Sequence, residues 1–422
     1  MKVAVIGGSA FSTPGLILFL NSNKGSGRME VVLSSRSMRR LEAVKRASML
    51  ARTGDIQIEV EDIRQETWPR ILDGADCVLI QIRVGGYEGR RFDESFSHKY
   101  GVCGDEGLGP GGLSAGWRTW PVIADLLEAI VTFSPQALVI LMTSPLGLLV
   151  RASHTFGPLN LVGICELPWT TLQDLIRQAG LQNRSLDADY LGVNHLGWFF
   201  NFRSGSDCLS NEIARSTHEG SFPTGSFLRA LGCYPTRYLR MHYEREKVFG
   251  EQVSQQTSRA EILAKLQDRA YSAYSAGSEA DVADILKTRP APWYPQAIGP
   301  LILALDGKST AIPFFLSVRN GSFTDLLEPD DVLECRYDWL AGKLVRPQLS
   351  GAPPQHLAET LFSFVLFERV ATKAIMTRSV PLLIEALSLH PWTKGHPQIR
   401  AIANDIVSYN EGMSTVKCES VT

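Results

Sequence analysis

Short apolar runs alternate with amphipathic segments over the first 165 residues of the chain. The apolar runs predict strands at Lys2–Ile6, Glu30–Ser34, Ile56–Val60, Cys77–Ile82, Leu138–Met142 and Leu161–Cys165. The segments between them predict helices, among them Pro14–Asn21, Ser37–Arg52 and Trp120–Phe133. Strands that are apolar on both faces and separated by helices are typical of a doubly wound parallel sheet. We therefore expect an α/β fold with a Rossmann-like N-terminal half.

The pattern changes near residue 190. An apolar run at Thr310–Val318 predicts a further strand, and the helical segments become longer, as at Arg259–Tyr274, His356–Met376 and Val380–Leu389. We therefore predict two domains. Residues 1–190 would bind a dinucleotide, and residues 191–422 would form a mainly helical α+β domain for catalysis, substrate binding and oligomerisation.

The composition is ordinary for a globular protein of 422 residues, with 44% hydrophobic residues and a net charge of −2. This charge does not favour nucleic acid or an anionic membrane as a partner. The longest apolar run, Ala137–Val150, is interrupted by Thr143-Ser144-Pro145 and is too short to span a bilayer. The chain starts without a signal-type segment, and its seven cysteines form no CxxC pair. We expect a cytoplasmic protein with reduced thiols.

Glycines follow the first predicted strand, at Gly7-Gly8-Ser9. Such glycines let a backbone approach a pyrophosphate at the start of a helix, although the run is not a regular GxGxxG and also fits a tight turn in a cofactor-free sheet. The second strand ends in Ser34-Ser35-Arg36-Ser37, where a carboxylate would usually bind the adenosine ribose. Serine and arginine there suit a 2′-phosphate or a capped helix start equally well. NAD and NADP therefore both remain open.

Cys165 and His195 each lie on a short motif, GICELP and GVNHLGW. A thiolate and a neutral imidazole form a borderline-soft metal site, but two ligands cannot complete a coordination shell. A substrate with vicinal hydroxyl groups would supply the rest. Spacing alone leaves open that both are packing residues.

Further motifs occur in one order along residues 1–265, and together they resemble glycoside hydrolase family 4, the NAD- and metal-dependent glycosidases. The matching segments are GGSAFSTPGL at 7–16, QIRVGGYEGRRFDE at 81–94, KYGVCGDEGLGPGG at 99–112, TSPLG at 143–147, GICELP at 163–168, GVNHLGW at 192–198, YLRMHY at 238–243 and TSRAE at 257–261. The resemblance implies a Rossmann-like domain joined to a second domain, as in lactate and malate dehydrogenases.

The resemblance also implies roles for individual residues. Cys165 and His195 correspond to the ligands of Mn²⁺ or another divalent metal, and Tyr238 corresponds to the proton acceptor, assisted by Glu106. Glu166 stands where the family has Asp as the proposed leaving-group acid or Asn. The remaining implied contacts are Arg90, Ser144, Arg259 and Asn194 for the substrate, and Gly7, Gly8, Ser9, Ser35, Arg36 and Val84 for the cofactor. Ser144 replaces the family's usual Asn.

The implied activity is hydrolysis of an O-glycosidic bond, most simply of a 6-phospho-glucoside, by oxidation, elimination, addition and reduction. The resemblance also implies a homodimer or homotetramer. Three alternatives stay open: an NAD(P)-dependent sugar or 2-hydroxy-acid dehydrogenase on the same fold, a glycosidase of the same kind for a non-phosphorylated sugar, and a cofactor-binding sensor without turnover. The sequence does not decide between an α- and a β-glycoside.

Overall fold

The computed structural model describes residues 1–25, 27–50, 56–157, 159–217 and 222–419, with side chains described as far as residue 413. Residues 51 and 52, the end of the helix predicted at Ser37–Arg52, lie outside these ranges.

A single sheet of thirteen strands runs through this part of the chain. The strands are β1 Lys2–Ile6, β2 Glu30–Ser35, β3 Gln57–Asp62, β4 Cys77–Ile80, β5 Leu138–Leu141, β6 Leu161–Ile164, β7 Asp187–Val193, β8 Leu196–Ser204, β9 Asp207–Cys208, β10 Cys233–Pro235, β11 Phe314–Arg319, β12 Val332–Leu340 and β13 Lys343–Val345. The first six pair in parallel in the order β3-β2-β1-β4-β5-β6, which is the doubly wound order of dinucleotide-binding folds. The predicted parallel sheet is confirmed.

The second half of the chain extends the same sheet with antiparallel strands. β11 pairs with β6, and β12, β7, β8 and β10 follow in that order. The boundary predicted at residues 190 and 191 therefore falls inside β7, and it stays a prediction.

Helices cover both faces of the sheet. They are α1 Thr13–Asn23, α2 Met38–Leu50, α3 Trp68–Leu72, α4 Gly86–Ser95, α5 Gly109–Phe133, α6 Leu146–Ser153, α7 Leu167–Gln178, α8 Ser210–Ser216, α9 Gly225–Leu231, α10 Arg240–Tyr243, α11 Arg245–Val253, α12 Arg259–Ala276, α13 Glu279–Thr288, α14 Gly299–Leu305, α15 Gln355–Thr377, α16 Val380–Leu389 and α17 Ile399–Glu419. Among the described residues, no helix is both long and apolar enough to cross a membrane.

Alternating side chains of β1 explain the two helical layers. Val3 and Val5 belong to one apolar cluster, with residues of α1, α2, α12 and α14. Ala4 and Ile6 face the other way and pack with residues of α5, α6 and α15 to α17. Each large aliphatic side chain buried in this way contributes about 1.5–3 kcal/mol relative to its exposed state. Both faces of the strand are therefore apolar, as the sequence pattern requires.

The largest difference from the predicted elements is the start of α5. The sequence predicts a helix from Trp120, whereas α5 begins at Gly109, within a run rich in glycine that resembles a loop. Helix formation there depends on close packing. A Cβ on Gly111 would lie 2.2 Å from the backbone oxygens of Asp93 and Asp105. The glycines therefore allow the helix N-terminus to lie directly against neighbouring backbone.

Candidate active site

The two predicted metal ligands follow strands of the sheet. Cys165 is the first residue after β6, and His195 lies in the two-residue connection between β7 and β8 with φ of 70°. The tip of this hairpin is fixed by Thr236, whose hydroxyl donates to the His195 carbonyl at 2.7 Å and accepts from the Gly197 N–H at 3.3 Å. The His195 backbone is therefore held by the segment that carries Tyr238.

Tyr238 lies against His195 as a parallel stacked ring, with 4.5 Å between ring centroids and 7° between planes. Burial raises the pKa of Tyr238 to about 12, and the charge of Asp105 acts in the same direction while Arg237 opposes it. Cys165 is also close enough to affect this pKa. The structure thus brings Cys165, His195 and Tyr238 together, although they come from three separate segments.

His195 has the properties of an imidazole ligand. Burial, with a further contribution from Arg237, lowers the pKa of His195 to about 4, so the ring is neutral at physiological pH. Its Nδ1 atom is buried and has no hydrogen-bond partner among the described residues. Neutral imidazole with a free ring nitrogen is the form that coordinates a metal.

The Cys165 thiol accepts a hydrogen bond from the Leu167 N–H at 3.5 Å and donates to Glu166 at 3.7 Å. Burial raises the pKa of the Cys165 thiol well above its ordinary value, and the charges of Glu166 and Glu334 raise it further. A divalent cation beside the sulfur would be attracted by the same charges and would favour the thiolate. The part of the chain that the structure describes holds no cluster of three or more His, Cys, Asp or Glu at metal-binding spacing. Cys165 and His195 alone would leave the other coordination positions of an ion to ligands from outside the pair.

Glu106 lies in an ion-paired network. Its carboxylate contacts Arg83 and, at 2.8 Å, Arg90, whose Nε donates to Glu94 at 2.6 Å. The predicted role of Glu106 beside the tyrosine stays a prediction. The acid whose charge acts on the pKa of Tyr238 is its neighbour Asp105. Burial raises the pKa of Asp105 to about 6.

The two predicted substrate arginines belong to a group of three. Arg259 is the first residue of α12, which begins with a capping box between Ser258 and Glu261. Burial lowers the pKa of Arg289, and repulsion from Arg259 and Arg90 lowers it further. Glu166 is close enough to act on the same group, and the Arg289 Nε is buried without a partner among the described residues. Positive charge is therefore concentrated beside the Cys165 segment.

The other two predicted substrate contacts are placed differently. Asn194 is buried, and its Nδ2 donates to Glu334 Oε1 at 3.0 Å. Ser144 is half-buried in the connection between β5 and α6. Their contacts with a sugar stay predictions.

The predicted cofactor residues lie at the carboxyl ends of β1, β2 and β4. Gly7 has φ of 88°, and a Cβ on Gly8 would lie 2.8 Å from Leu33 Cβ, so both positions require glycine. The N–H groups of Gly7 and Gly8 donate to the Ser34 carbonyl at 2.9 Å. This tight turn starts the connection to α1, at the sheet edge where nucleotides bind in such folds.

Tyrosines from the second half of the chain hold the connection between β1 and α1. The Tyr271 and Tyr274 hydroxyls, both on α12, donate to the carbonyls of Ser9 and Phe11.

The remaining cofactor candidates lie at the same edge of the sheet. The Ser35 hydroxyl accepts from the Ser37 N–H at 3.1 Å, and Arg36 is exposed. The Val84 carbonyl accepts from Arg118 at 2.9 Å. Because β2 ends without a carboxylate, the position does not discriminate between a ribose hydroxyl and a 2′-phosphate.

Comparison with known protein families identifies the family of this chain. The sequence model described as "Family 4 glycosyl hydrolase" matches residues 2–181, and that of the "Family 4 glycosyl hydrolase C-terminal domain" matches residues 190–393. The chain belongs to family 4 of the glycosyl hydrolases. It is therefore a glycoside hydrolase, as the motifs imply.

Relatives of this family 4 hydrolase match it over between about half and nearly all of its length. The 6-phospho-beta-glucosidase BglT of Thermotoga maritima is 25% identical over 97% of this chain and 98% of its own. A probable 6-phospho-beta-glucosidase of Bacillus subtilis is 25% identical over 80% of this chain and 79% of its own. The phospho-alpha-glucosidase PagL of Clostridium acetobutylicum is 29% identical over 47% and 45%.

Solved structures confirm the fold class. The Thermotoga maritima 6-phospho-beta glucosidase, determined with NAD and glucose-6-phosphate, matches with a TM-score of 0.86 at 21% identity, over 98% of this chain and 99% of that chain. A 6-phospho-alpha-glucosidase from gut microorganisms, determined with NAD and Mn²⁺, matches with a TM-score of 0.79 at 18% identity, over 98% of each chain.

Three residues that the structure places near the candidate site are not selected by sequence reasoning. Asp105 is adjacent to Glu106 in the quoted motif, so the sequence finds the segment but does not select Asp105 itself. Glu334 has a weak signal, because it is a charged residue in the apolar start of β12. Arg289 has no signal in the sequence, since it follows an ordinary amphipathic helix.

Proposed function

We propose that this family 4 hydrolase cleaves the O-glycosidic bond of a 6-phospho-glucoside with NAD and Mn²⁺ as cofactors. The observation that carries the proposal is the convergence of Cys165, His195 and Tyr238 beside a cluster of arginines. The names of its relatives support the substrate class, since these are 6-phospho-glucosidases and phospho-alpha-glucosidases. Structures of two such enzymes with NAD, one also with Mn²⁺, support the cofactors.

When bound, NAD would supply a reversible hydride acceptor for C3 of the sugar, and the divalent ion would supply a Lewis acid for the sugar oxygens. Cys165 and His195 would hold the ion. The glycine turn at residues 7–9 would approach the pyrophosphate, and NADP remains an alternative because Arg36 stands where a ribose carboxylate is usual.

Tyr238 is the proposed proton acceptor at C2 of the sugar. A phenol whose pKa is about 12 is protonated at neutral pH, so it needs positive charge nearby to act as a base. Arg237 supplies part of this charge, because it lies over the ring at 5.4 Å and lowers the pKa. Contact with the His195 ring places the phenol beside the ligand pair.

Glu166 is the proposed acid for the leaving group. It follows Cys165 directly, and its carboxyl lies 3.7 Å from the thiol sulfur. In this role its carboxyl group would donate a proton to the glycosidic oxygen as the bond to C1 breaks. Glu106 would hold Arg90 and Arg83 in place for the sugar.

The arginine group supports a phosphorylated substrate. Repulsion from Arg90 and Arg259 contributes to the lowered pKa of Arg289, and an anion bound beside Arg289 would offset this repulsion. A phosphate group accepts several charge-assisted hydrogen bonds from guanidinium groups. Ser144 and Asn194 would contact the sugar itself.

The proposal is tested with α- and β-nitrophenyl glucosides, with and without a 6-phosphate, assayed with Mn²⁺ and either nicotinamide cofactor. We expect release of nitrophenol from a phosphorylated glucoside with a catalytic amount of NAD. Net formation of NADH in proportion to substrate would instead identify a dehydrogenase. Turnover of the sugar without phosphate, and not of its 6-phosphate, would overturn the substrate class.

The proton acceptor is tested separately. Tyr238→Phe should retain ligand binding and lose exchange of the C2 hydrogen with deuterium oxide. Persistent exchange in this variant would refute the assignment.

We also infer that the enzyme acts in the cytoplasm as a homodimer or homotetramer. All six cysteines that the structure describes are unpaired, which suits a reducing compartment. Light scattering after gel filtration tests the assembly, and a monomeric mass would contradict it. Fractionation of the source cells tests the location.

A further inference from the structure

A buried carboxylate on the central strand β12 lies close to the proposed metal pair. Glu334 is fully buried, with no exposed area. It is in register with Ser317 of β11 on one side and with Gly192 of β7 on the other. The strand around it is apolar, with Leu333 and Cys335 as neighbours. A charged side chain is costly at such a position unless a partner compensates for its lost hydration.

Two neutral groups contact this carboxylate. The Tyr190 hydroxyl donates to Glu334 Oε2 at 2.6 Å, and Asn194 Nδ2 donates to Oε1 at 3.0 Å. No arginine or lysine among the described residues forms an ion pair with it. Neutral donors orient a carboxylate but do not compensate its negative charge, and burial raises the pKa of Glu334 to about 7. A cation nearby would favour the ionised form.

The Asn194 side chain connects Glu334 to both proposed metal ligands. Asn194 directly precedes His195, and its side chain is close enough to the Cys165 thiol to lower the pKa of that thiol. Fixing the Asn194 amide therefore restricts the backbone that carries the imidazole and the orientation of the sulfur. Glu334 itself contacts neither ligand in a hydrogen bond that the structure records.

We propose that Glu334 is a positioning residue for the divalent ion: through Asn194 it orients Cys165 and His195, and it provides the buried negative charge that attracts the cation. Outer carboxylates of this kind fix ligand geometry, and their loss typically weakens metal binding about 10- to 100-fold. The inference rests on the proposed metal site at Cys165 and His195. It adds a residue that lies far from both in the sequence and contacts no reacting group.

The test measures Mn²⁺ binding to the metal-free enzyme by calorimetry, without substrate and without any activity assay. Glu334→Gln retains the shape of the side chain and removes its charge, so Mn²⁺ affinity should fall about 10- to 100-fold. Tyr190→Phe is the matched control, because it removes the other hydrogen bond to the same carboxylate but keeps the charge and the Asn194 contact. Its Mn²⁺ affinity should fall by no more than about threefold.

Glu334→Asp provides a second measurement if the glutamine variant does not fold. It retains the charge and withdraws it by one methylene group, so its affinity should lie between those of the wild type and Glu334→Gln. The absorption of bound Co²⁺ gives an independent readout, since a changed thiolate orientation alters the sulfur-to-metal band.

Each result decides one point. Failure of the wild type to bind Mn²⁺, both alone and with glucose-6-phosphate added, would defeat the metal site itself. Wild-type affinity in Glu334→Gln, or in Glu334→Asp where that alone folds, would overturn only the role of Glu334. An equal loss in Tyr190→Phe and Glu334→Gln would overturn it as well, because the effect would then be a general disturbance of packing.

Discussion

Replacing Glu368 by glutamine should stabilise the protein, by an amount that increases with pH. The Glu368 side chain on α15 is 8% exposed, and its Oε2 has no hydrogen-bond partner among the described residues. Arg151 is near but forms its ion pair with Asp331. Burial therefore raises the pKa of Glu368 from its ordinary value of 4.5 to about 8, and the charges of Asp331 and Glu334 act in the same direction.

The size of the effect follows from these two values. A carboxyl group whose pKa is higher in the folded than in the unfolded chain binds more protons when folded, so the free energy of unfolding falls as the pH rises between them. Between pH 4.5 and about 8 the fall is about 1.4 kcal/mol per pH unit. At pH 7 the free energy of unfolding of the wild type is therefore about 3 kcal/mol lower than at acidic pH, where the group is protonated in both states. The decrease levels off above the folded-state pKa. Glutamine does not titrate and escapes this loss.

The measurement is urea unfolding of the wild type and Glu368→Gln at several values between about pH 5 and pH 8. Any fixed cost of burying the amide is equal at each pH, so it cancels when the two slopes are compared. Glu359→Gln, on the exposed side of the same helix, controls for loss of a carboxylate from α15. A difference between wild type and Glu368→Gln that stays constant over this range would refute the reasoning.

Three further predictions concern the site and its support. Asp105→Asn removes a charge that raises the pKa of Tyr238, so this pKa should fall. Ultraviolet titration of the tyrosines measures it, with Tyr238→Phe identifying the signal of Tyr238. An unchanged pKa would show that the two groups do not interact. Arg289→Met should raise KM for a 6-phosphorylated substrate about 10- to 100-fold, as expected for loss of a charge-assisted hydrogen bond, and leave KM for a slow non-phosphorylated analogue unchanged. An equal effect on both substrates would contradict a phosphate contact. Gly111→Ala places a Cβ 2.2 Å from two backbone oxygens, so it should lower the free energy of unfolding by about 1–3 kcal/mol or more. Wild-type stability of this variant in urea unfolding would mean that the start of α5 moves freely.

The parallel half of the sheet could be predicted because its strands are apolar on both faces. That property depends only on local sequence, and β1, β2 and β4 begin at the predicted residues. The start of α5 could not be predicted, because the conformation of its glycines is set by contact with the backbone of Asp93 and Asp105. The continuation of the sheet by β11 and β12 depends on pairing between segments more than 140 residues apart, which a local pattern does not contain.

The candidate site shows the same difference between features set by local sequence and features set by long-range contacts. Cys165, His195 and Tyr238 lie on short motifs, so resemblance is enough to select them, and the structure brings them together. Residues that act on these groups from a distance are not selected. Glu334 reaches Asn194 across 140 positions of sequence, and its role depends on which strands are neighbours in the sheet.

Tyr271 and Tyr274 have a consequence for any attempt to divide the enzyme. Both hydroxyls belong to α12, yet they hold the Ser9 and Phe11 carbonyls in the connection after β1. A fragment ending near residue 190 would lack these two anchors, and the turn that we propose for the pyrophosphate would lose two of its supports. Chimaeras that exchange halves between relatives should therefore carry the turn and its two tyrosines from the same parent.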